Sequence, residues 1–472
     1  MALKQDELIF YSDNVTVTKA KDRDRFLDRL CSLYPDMDSE PIKRELLRLV
    51  DAIATESAEG SPGGPMPVDT DPEKLLADTP QSIREEAEAM LCDPKALQQA
   101  ASDIESLGVV GERCAAAMLY LVGTSRLLPK PLAMLLQGPS TSGKSFLTSK
   151  VASLFPPEAV IHATQMSPQA LFYAKPGSLK HRFVIAGERS RLEDDETAEK
   201  TRALREMLSE QVLTKMVPHR DPVTGQMVTT HIRQEGPIAY VETTTLPRIF
   251  NEDLNRMIVY QTDESPDQTR KIIKAEALRR SGQQADDVKS IIARHHALQR
   301  MLARTAAPVV MPFGPDLAKK FPSDRLEARR AFGHLLSVIE ASALFHAYQR
   351  ERTEGGRIIA NEDDYGVASE LMAAPLCRAV GGALSDGARS LLVQIKETES
   401  LVESTFTIAQ LVDLTNMAKE TVRGRVNELL DANYVKVVML GRGTVGTAYS
   451  LTDRPLPEEE TFALPTWDEL AS

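Results

Sequence analysis

The chain has 472 residues, 42% of them hydrophobic and 26% charged, with a formal net charge of −12. That length fits several domains, and the acidic balance argues against a protein coated in basic surface while leaving room for a local basic patch on nucleic acid. Four scattered cysteines (Cys31, Cys92, Cys114 and Cys377) form no close pair, so neither a zinc knuckle nor a disulfide framework is indicated.

The opening "MALKQDELIFYSD" lacks the basic-then-apolar layout of a secretory signal, and no apolar run approaches bilayer length, so a cytoplasmic location is expected. Residues 1–56 read as a small α+β unit, with "LIFYSDNVTVTK" as a short hairpin and amphipathic helices at Arg23–Leu33 and Pro41–Ala54. Residues 57–80, rich in Gly, Pro, Ser and acidic side chains, read as a linker. A helical leader is expected over 81–130. From 131 to 267 strands and helices alternate, the pattern of an α/β core with a parallel sheet. Residues 268–380 read as mostly helical, with short extended pieces at "APVVMPF" and "GRIIAN". A separate unit over 386–453 and an acidic tail over 454–472 complete the chain.

The most informative stretch is "LLQGPSTSGKS", residues 135–145. Gly138, Pro139, Ser140, Thr141, Ser142, Gly143, Lys144 and Ser145 fit G-x-x-x-x-G-K-[ST]. The glycines let successive N–H groups turn inward on phosphate oxygens, Lys144 reaches the β- and γ-phosphates, and the Ser145 hydroxyl binds Mg²⁺. A buried strand precedes the loop and a helical pattern follows it, so the helix N-terminus faces the anion. ATP and Mg²⁺ are the implied ligands. A second buried strand, "RFVIAGE", ends in Glu188, placed to orient the attacking water. A helix to about Leu213 follows, then two extended arms about a turn at Asp221–Gly225, then the buried strand "IAYVETTT". Thr244 at its end is a candidate for contact with the γ-phosphate, and Arg256 stands just before the next strand.

This order resembles the AAA+ ATPases of the pre-sensor-1-hairpin group, especially the minichromosome maintenance (MCM) helicases and MCM-like modules of plasmid, phage and bacterial replication or primase proteins. The resemblance covers about residues 110–375. It implies an AAA+ P-loop core with a helical lid, a hairpin that enters a ring channel to grip DNA, Arg256 as a finger in a neighbour's site, and Arg330 as the lid's sensor arginine. It also implies a homo-oligomeric ring, a hexamer. The chain departs from the family in three ways. Gly187 stands where an aspartate precedes the catalytic glutamate, Thr stands for the commoner sensor-1 Asn, and no zinc-binding N-terminal domain is present.

Two features point to DNA. In the hairpin, Lys215, His219, Arg220 and Arg233 outnumber Asp221 and Glu235, a cationic loop able to track a phosphate backbone; an ordinary solvated hairpin is the alternative. Residues 386–453 look like a winged helix-turn-helix, with helices at Ile408–Leu414 and Lys419–Ala432 and a two-stranded wing. Val422, Val426, Leu429 and Leu430 would face its core, Thr421, Arg423, Arg425 and Asn427 a DNA groove or a partner protein, and Arg442 the wing tip. The expected function is an ATP-dependent DNA translocase or helicase in replication, acting on single-stranded or forked DNA, with a primase or other replication protein as a further partner. The alternative is an ATP-gated initiator or loader that remodels a nucleoprotein complex without processive unwinding.

Overall fold

The computed structural model describes residues 2–5, 8–12, 20–35, 41–46, 48, 72–164, 166, 170–189, 195–220, 226–246, 256–281, 288–323, 326–380, 386–398, 401, 404–415, 417–432, 434–439, 441, 446–453 and 464–471. The chain divides after Thr70 into two units. In the first, β1 (Ala2–Gln5) pairs antiparallel with β2 (Leu8–Ser12), and α1 (Ala20–Leu33) and a helical stretch over 41–46 follow. The N-terminal hairpin thus sits nearer the start than expected. Leu8–Ser12 takes as partner the strand two residues before it, the shortest loop to close. The "VTVT" arm lies outside the described residues.

The second unit is built on a five-stranded parallel sheet in the order β4-β5-β8-β3-β9. Its strands are β3 (Ala133–Gln137), β4 (Val160–Ala163), β5 (Arg182–Arg189), β8 (Ile238–Thr244) and β9 (Ile258–Gln261). The central β8 is buried at every position, as a strand covered on both faces must be. One face, with Leu136, Phe183, Ile185 and Val241, shares a core with α5 (Arg113–Thr124) and α6 (Lys144–Ser153). The other, with Leu135, Val184 and Tyr240, packs on α7 (Asp195–Glu210). Helix α5 is buried from Ala115 to Thr124. Its small side chains allow this: a Cβ on Gly123 would lie 2.4 Å from the Phe155 ring.

Between α7 and β8 stands an antiparallel hairpin of two nine-residue strands, β6 (Val212–Arg220) and β7 (Met227–Glu235). Ahead of the sheet lie α2 (Pro72–Ala77), α3 (Gln81–Cys92) and α4 (Ala96–Ser106). Helix α2 falls within the stretch read as linker, and its Leu76 belongs to the main core. After the sheet, α8 (Pro266–Arg280) buries only Gln268. Helices α9 (Val288–Thr305), α10 (Gly314–Lys320), α11 (Leu326–Phe345) and α12 (Glu362–Val380) follow. The two extended pieces among them, β10 (Val309–Val310) and β11 (Ile358–Ile359), pair in parallel.

Residues beyond 385 form a core of their own, with Leu391, Ile395, Phe406, Val422, Val426 and Leu429 fully buried and Leu430 partly so. It comprises α13 (Asp386–Glu397), α14 (Ile408–Thr415), α15 (Lys419–Asp431) and an antiparallel sheet β12-β14-β13 (Phe406–Thr407, Ala448–Leu451, Val435–Met439). A last short helix, α16 (Trp467–Ala471), returns to α10 and α12 and sets Trp467 against Phe313 and Tyr365. The stretch read as an acidic tail therefore contains a docked element. Among the described residues, no helix is long and apolar enough to cross a membrane, and no group of three or more His, Cys, Asp or Glu forms a metal cluster.

Candidate nucleotide site

The loop from Gly138 to Gly143 joins the end of β3 to α6. Two of its residues take left-handed backbone angles, Thr141 at φ 73° and Gly143 at φ 86°. Gly138 has no space for a side chain, because a Cβ there would lie 2.1 Å from the Thr262 hydroxyl. At Gly143 a Cβ would meet nothing within 4 Å, so the open side of the loop is free for an anion. The Ser142 hydroxyl is buried without a hydrogen-bond partner. These features fit a triphosphate: an orphaned donor and an open cradle at a helix N-terminus.

Lys144 is only 5% exposed and donates from Nζ to the carbonyls of Gly138 and Pro139, both at 2.7 Å. Burial holds its pKa below the ordinary lysine value, while the charges of Glu188 and Glu264 pull it back up. Glu188 is exposed at the end of β5, and Ser145 is exposed in the first turn of α6. Thr244 abuts the loop: its carbonyl accepts from Gly138 N–H at 3.1 Å, and its buried hydroxyl accepts from Leu246 N–H at 3.0 Å. The structure thus brings together Lys144, Ser145, Glu188 and Thr244.

Gly187 has a steric cause. A Cβ on it would lie 1.7 Å from the main-chain oxygen of Thr164, and β5 bulges between Ala186 and Glu188. No aspartate fits at this position without moving β4.

A cavity of about 280 Å³ adjoins the loop, lined by Gly108–Val110, Phe146, Gln268 and Ile272 among others. Sequence reasoning missed this wall. Its signal is "GVVGE" between two helices, where Gly108 (φ 102°), Gly111 (φ 64°) and Glu112 (φ 56°) all turn left-handed. Gln268 Nε2 donates to Val110 O at 2.6 Å, and a Cβ on Gly111 would strike that amide. Burial raises the Glu112 carboxyl pKa, and its oxygen accepts from Asp263 N–H at 2.7 Å. Glu242 was also missed: it is 5% exposed on β8 and accepts from the Tyr240 hydroxyl at 2.8 Å.

The two remaining arginines of the expected site lie on other elements. Arg256 Nε donates to Ser209 Oγ at 2.7 Å, at the end of α7. Arg330 is half-buried in α11, where its charge joins burial in lowering the His334 pKa to about 4.

The hairpin corrects part of the charge reading. Lys215 is half-buried, with its ammonium 5.0 Å from the Phe172 ring centroid, and Arg233 pairs with Glu235 at 3.1 Å. Lys215 is covered because its face of β6 and β7 rests on the segment around Phe172, where Gln234 Nε2 donates to Phe172 O and Ala174 O, whereas Arg233 stands on the other, exposed face. The opposite face presents Met216, Thr229 and His231 to solvent. His219 and Arg220 end β6, and their side chains lie outside what is described, as does the turn. In α15, Thr421 and Arg423 are exposed as expected. Arg425 is not: it is half-buried, its Nη1 against Met417 Sδ and its guanidinium packed over Gly387 of α13. Its long stem covers the helix junction instead of facing a groove. Arg442 lies outside the described residues.

The family described as the MTBMA_p00010 P-loop domain matches residues 83–299. No curated protein matches the sequence. Among solved structures, a full-length MCM homolog from Methanopyrus kandleri is similar at 15% identity with a TM-score of 0.39. That match covers 66% of this chain and 63% of the homolog, less than two-thirds of the homolog's length. Loop geometry, parallel sheet and family match together mark this region as a P-loop domain.

Proposed function

We propose that the protein is an ATP-driven DNA translocase or helicase of the AAA+ class, acting in replication as a homo-oligomeric, hexameric ring. The observation that carries this reading is the β6–β7 hairpin, inserted between the glutamate strand β5 and β8, with one face of its arms exposed. A nucleotide-metabolising kinase has no use for such an arm. The separate C-terminal core supports a second contact, which we read as a winged helix binding DNA or a partner.

In this reading Lys144 leaves the carbonyls of Gly138 and Pro139 for the β- and γ-phosphates, and the loop's N–H groups hold the same oxygens. Ser145 would hold Mg²⁺, which when bound offsets phosphate charge; the steric block at Gly187 leaves no first carboxylate on β5 to assist it. Glu188 orients water in line with the γ-phosphorus and takes up its proton as the bond to the β-phosphate breaks. Arg256, supplied from the neighbouring subunit, stabilises the charge on the transferring group, a contribution of about a thousandfold or more in related systems. Arg330 would sense the nucleotide from the lid. The hairpin then moves along the strand, with His219, Arg220 and residues of the exposed face against it.

The test is displacement of a labelled strand from forked DNA by the full-length protein with Mg·ATP, with Lys144→Ala as control. Unwinding by the parent alone is expected. DNA-stimulated hydrolysis without strand displacement would favour the second reading, an initiator or loader, which the blocked aspartate position supports. Absence of any DNA effect on hydrolysis would overturn both.

A further inference from the structure

The turn between α4 and α5 holds a strained residue that is not glycine. Gly108 and Gly111 take left-handed angles freely, but Glu112, at φ 56° and ψ 25°, carries a side chain there. Such strain persists only where the surrounding structure enforces it, and it gathers at ligand clamps. Here it is enforced from two sides. Gln268, 3% exposed, donates from Nε2 to Val110 O at 2.6 Å, and a Cβ on Gly111 would strike that amide. Asp263 N–H donates to Glu112 Oε1 at 2.7 Å and holds the half-buried side chain on the wall of the cavity beside the phosphate loop. That cavity runs from Thr141–Gly143 to the apolar side chains of Val109, Phe146, Leu147 and Ile272. A nucleotide with its phosphates in the loop would lay its flat base among them, and the few polar groups on such a wall decide which base fits. Val110 O is taken by Gln268 and Glu112 Oε1 by Asp263, which leaves Glu112 Oε2 as an acceptor with no donor among the described residues.

We propose that Glu112 is a specificity-determining residue whose carboxylate selects the 6-amino group of adenine. The assignment rests on the reading that Gly138–Ser145 binds the nucleotide's phosphates. An ionised carboxylate only accepts hydrogen bonds, so it attracts an exocyclic amine and repels the 6-keto oxygen of guanine or hypoxanthine. Guanine could satisfy a carboxylate through its N1–H and 2-amino group, but that pairing takes both oxygens, and Asp263 N–H already holds one. Burial raises the Glu112 pKa, so a donor placed opposite it also offsets a poorly solvated charge.

The experiment measures binding of ADP, 2′-deoxy-ADP, IDP, GDP and purine riboside diphosphate, which lacks the 6-amino group, to the full-length protein at mildly alkaline pH. The same is done for Glu112→Gly, which relieves the left-handed angle and should stay folded, and for Glu112→Gln, which keeps an acceptor for Asp263 N–H. The parent should bind ADP and 2′-deoxy-ADP alike, and about tenfold or more tightly than the other three, the order of one hydrogen bond to a charged group. Glu112→Gly should bring ADP to the level of purine riboside diphosphate, whose own affinity should not move. Glu112→Gln can turn an amide N–H toward a 6-keto oxygen and should bind IDP more tightly than the parent does. Equal binding of ADP and purine riboside diphosphate by the parent, tighter binding of GDP, or an ADP preference that survives Glu112→Gly would each overturn the assignment and leave phosphate binding intact. An equal loss of every ligand in Glu112→Gly would overturn it too, by reducing Glu112 to a support of the fold. A 2′-deoxy-ADP deficit that Glu112→Gly erases would move the carboxylate to the ribose. Absence of binding by all five to the folded parent would remove the nucleotide reading itself.

Discussion

Helix α16 is seated by Leu470, 5% exposed, and by Trp467, whose ring lies 5.1 Å from Phe313 and 6.0 Å from Tyr365. The Tyr365 hydroxyl also donates to Pro465 O at 2.6 Å. Truncating a buried leucine to alanine costs about 2–5 kcal/mol. Even ~2 kcal/mol shifts a docking equilibrium about thirtyfold, and a helix of five residues has few other contacts with which to resist. Leu470→Ala should therefore undock α16. The chain's one tryptophan lies in this helix and reports the event directly. The parent should show blue-shifted emission and weak quenching by acrylamide. Leu470→Ala should shift emission toward that of solvated indole and raise quenching severalfold, and Phe313→Ala should do the same to a smaller extent. Parental emission and quenching in a folded Leu470→Ala protein would refute the seating argument. One corollary concerns truncation. Deleting everything from Asp386 removes α16 with the C-terminal unit, so it uncovers its seat on α10 and α12 as well. Replacing 386–453 by a flexible linker, with 464–472 retained, separates the two effects.

Lys144→Ala should weaken nucleotide binding, whereas Glu188→Gln should keep binding and lower turnover by about 10²-fold or more; parental turnover by the latter would remove Glu188 from its assigned role. Gly187→Asp would restore the family's usual pattern on paper, yet its Cβ meets Thr164 O, so the protein should melt at lower temperature by an overpacking cost of ~1–3 kcal/mol and gain no activity. A faster, equally stable variant would contradict the steric account. Alanine at His219 and Arg220 should weaken DNA affinity and flatten its salt dependence, while an unchanged slope would count against phosphate contact. Acid should destabilise the fold through His295 and Asp103. Burial lowers the His295 pKa and outweighs the Asp103 charge that raises it, so the unfolded chain binds the proton better and stability falls below pH ~6.5. Burial pushes Asp103 up, but hydrogen bonds from His295, Arg294 and Gln99 bring it net below its ordinary value, so its share is lost only at lower pH. A melting temperature that stays constant from pH 7 to 5 would contradict this.

Local patterns were legible where a single element carries them. "LLQGPSTSGKS" spans strand, loop and helix within eleven residues, and β5, β8 and the hairpin each announce themselves by an apolar run or a turn. The α14–α15 core was equally readable, because Val422, Val426 and Leu429 repeat at helical spacing. What stayed hidden depends on distant pairings. Nothing near Gly187 in sequence signals that Thr164 O occupies the space of its side chain. Lys215 and Arg425 read as exposed cations, because periodicity places a Cβ but not the end of a long stem that folds onto Phe172 or Gly387. The cavity wall at Gly108–Glu112 is a loop whose meaning comes from Gln268, more than 150 positions away in the chain.

The accessory parts of this fold are inserted and not appended. The hairpin leaves the core at α7 and re-enters it at β8, with Gln211 and Gly236 hydrogen-bonded across its base. The C-terminal unit follows α12 and is followed by α16, and both of those helices pack in the same core. An element fixed at one end can swing without moving its base, whereas one fixed at both ends must transmit displacement to two points. For the hairpin those points are the helix that seats Arg256 and the strand that ends at Thr244 beside Gly138. Force applied to the hairpin would therefore reach the nucleotide domain through packed side chains. This is why the base of the hairpin, where Gln211 and Gly236 are tied, is the place where mutation should separate coupling from hydrolysis.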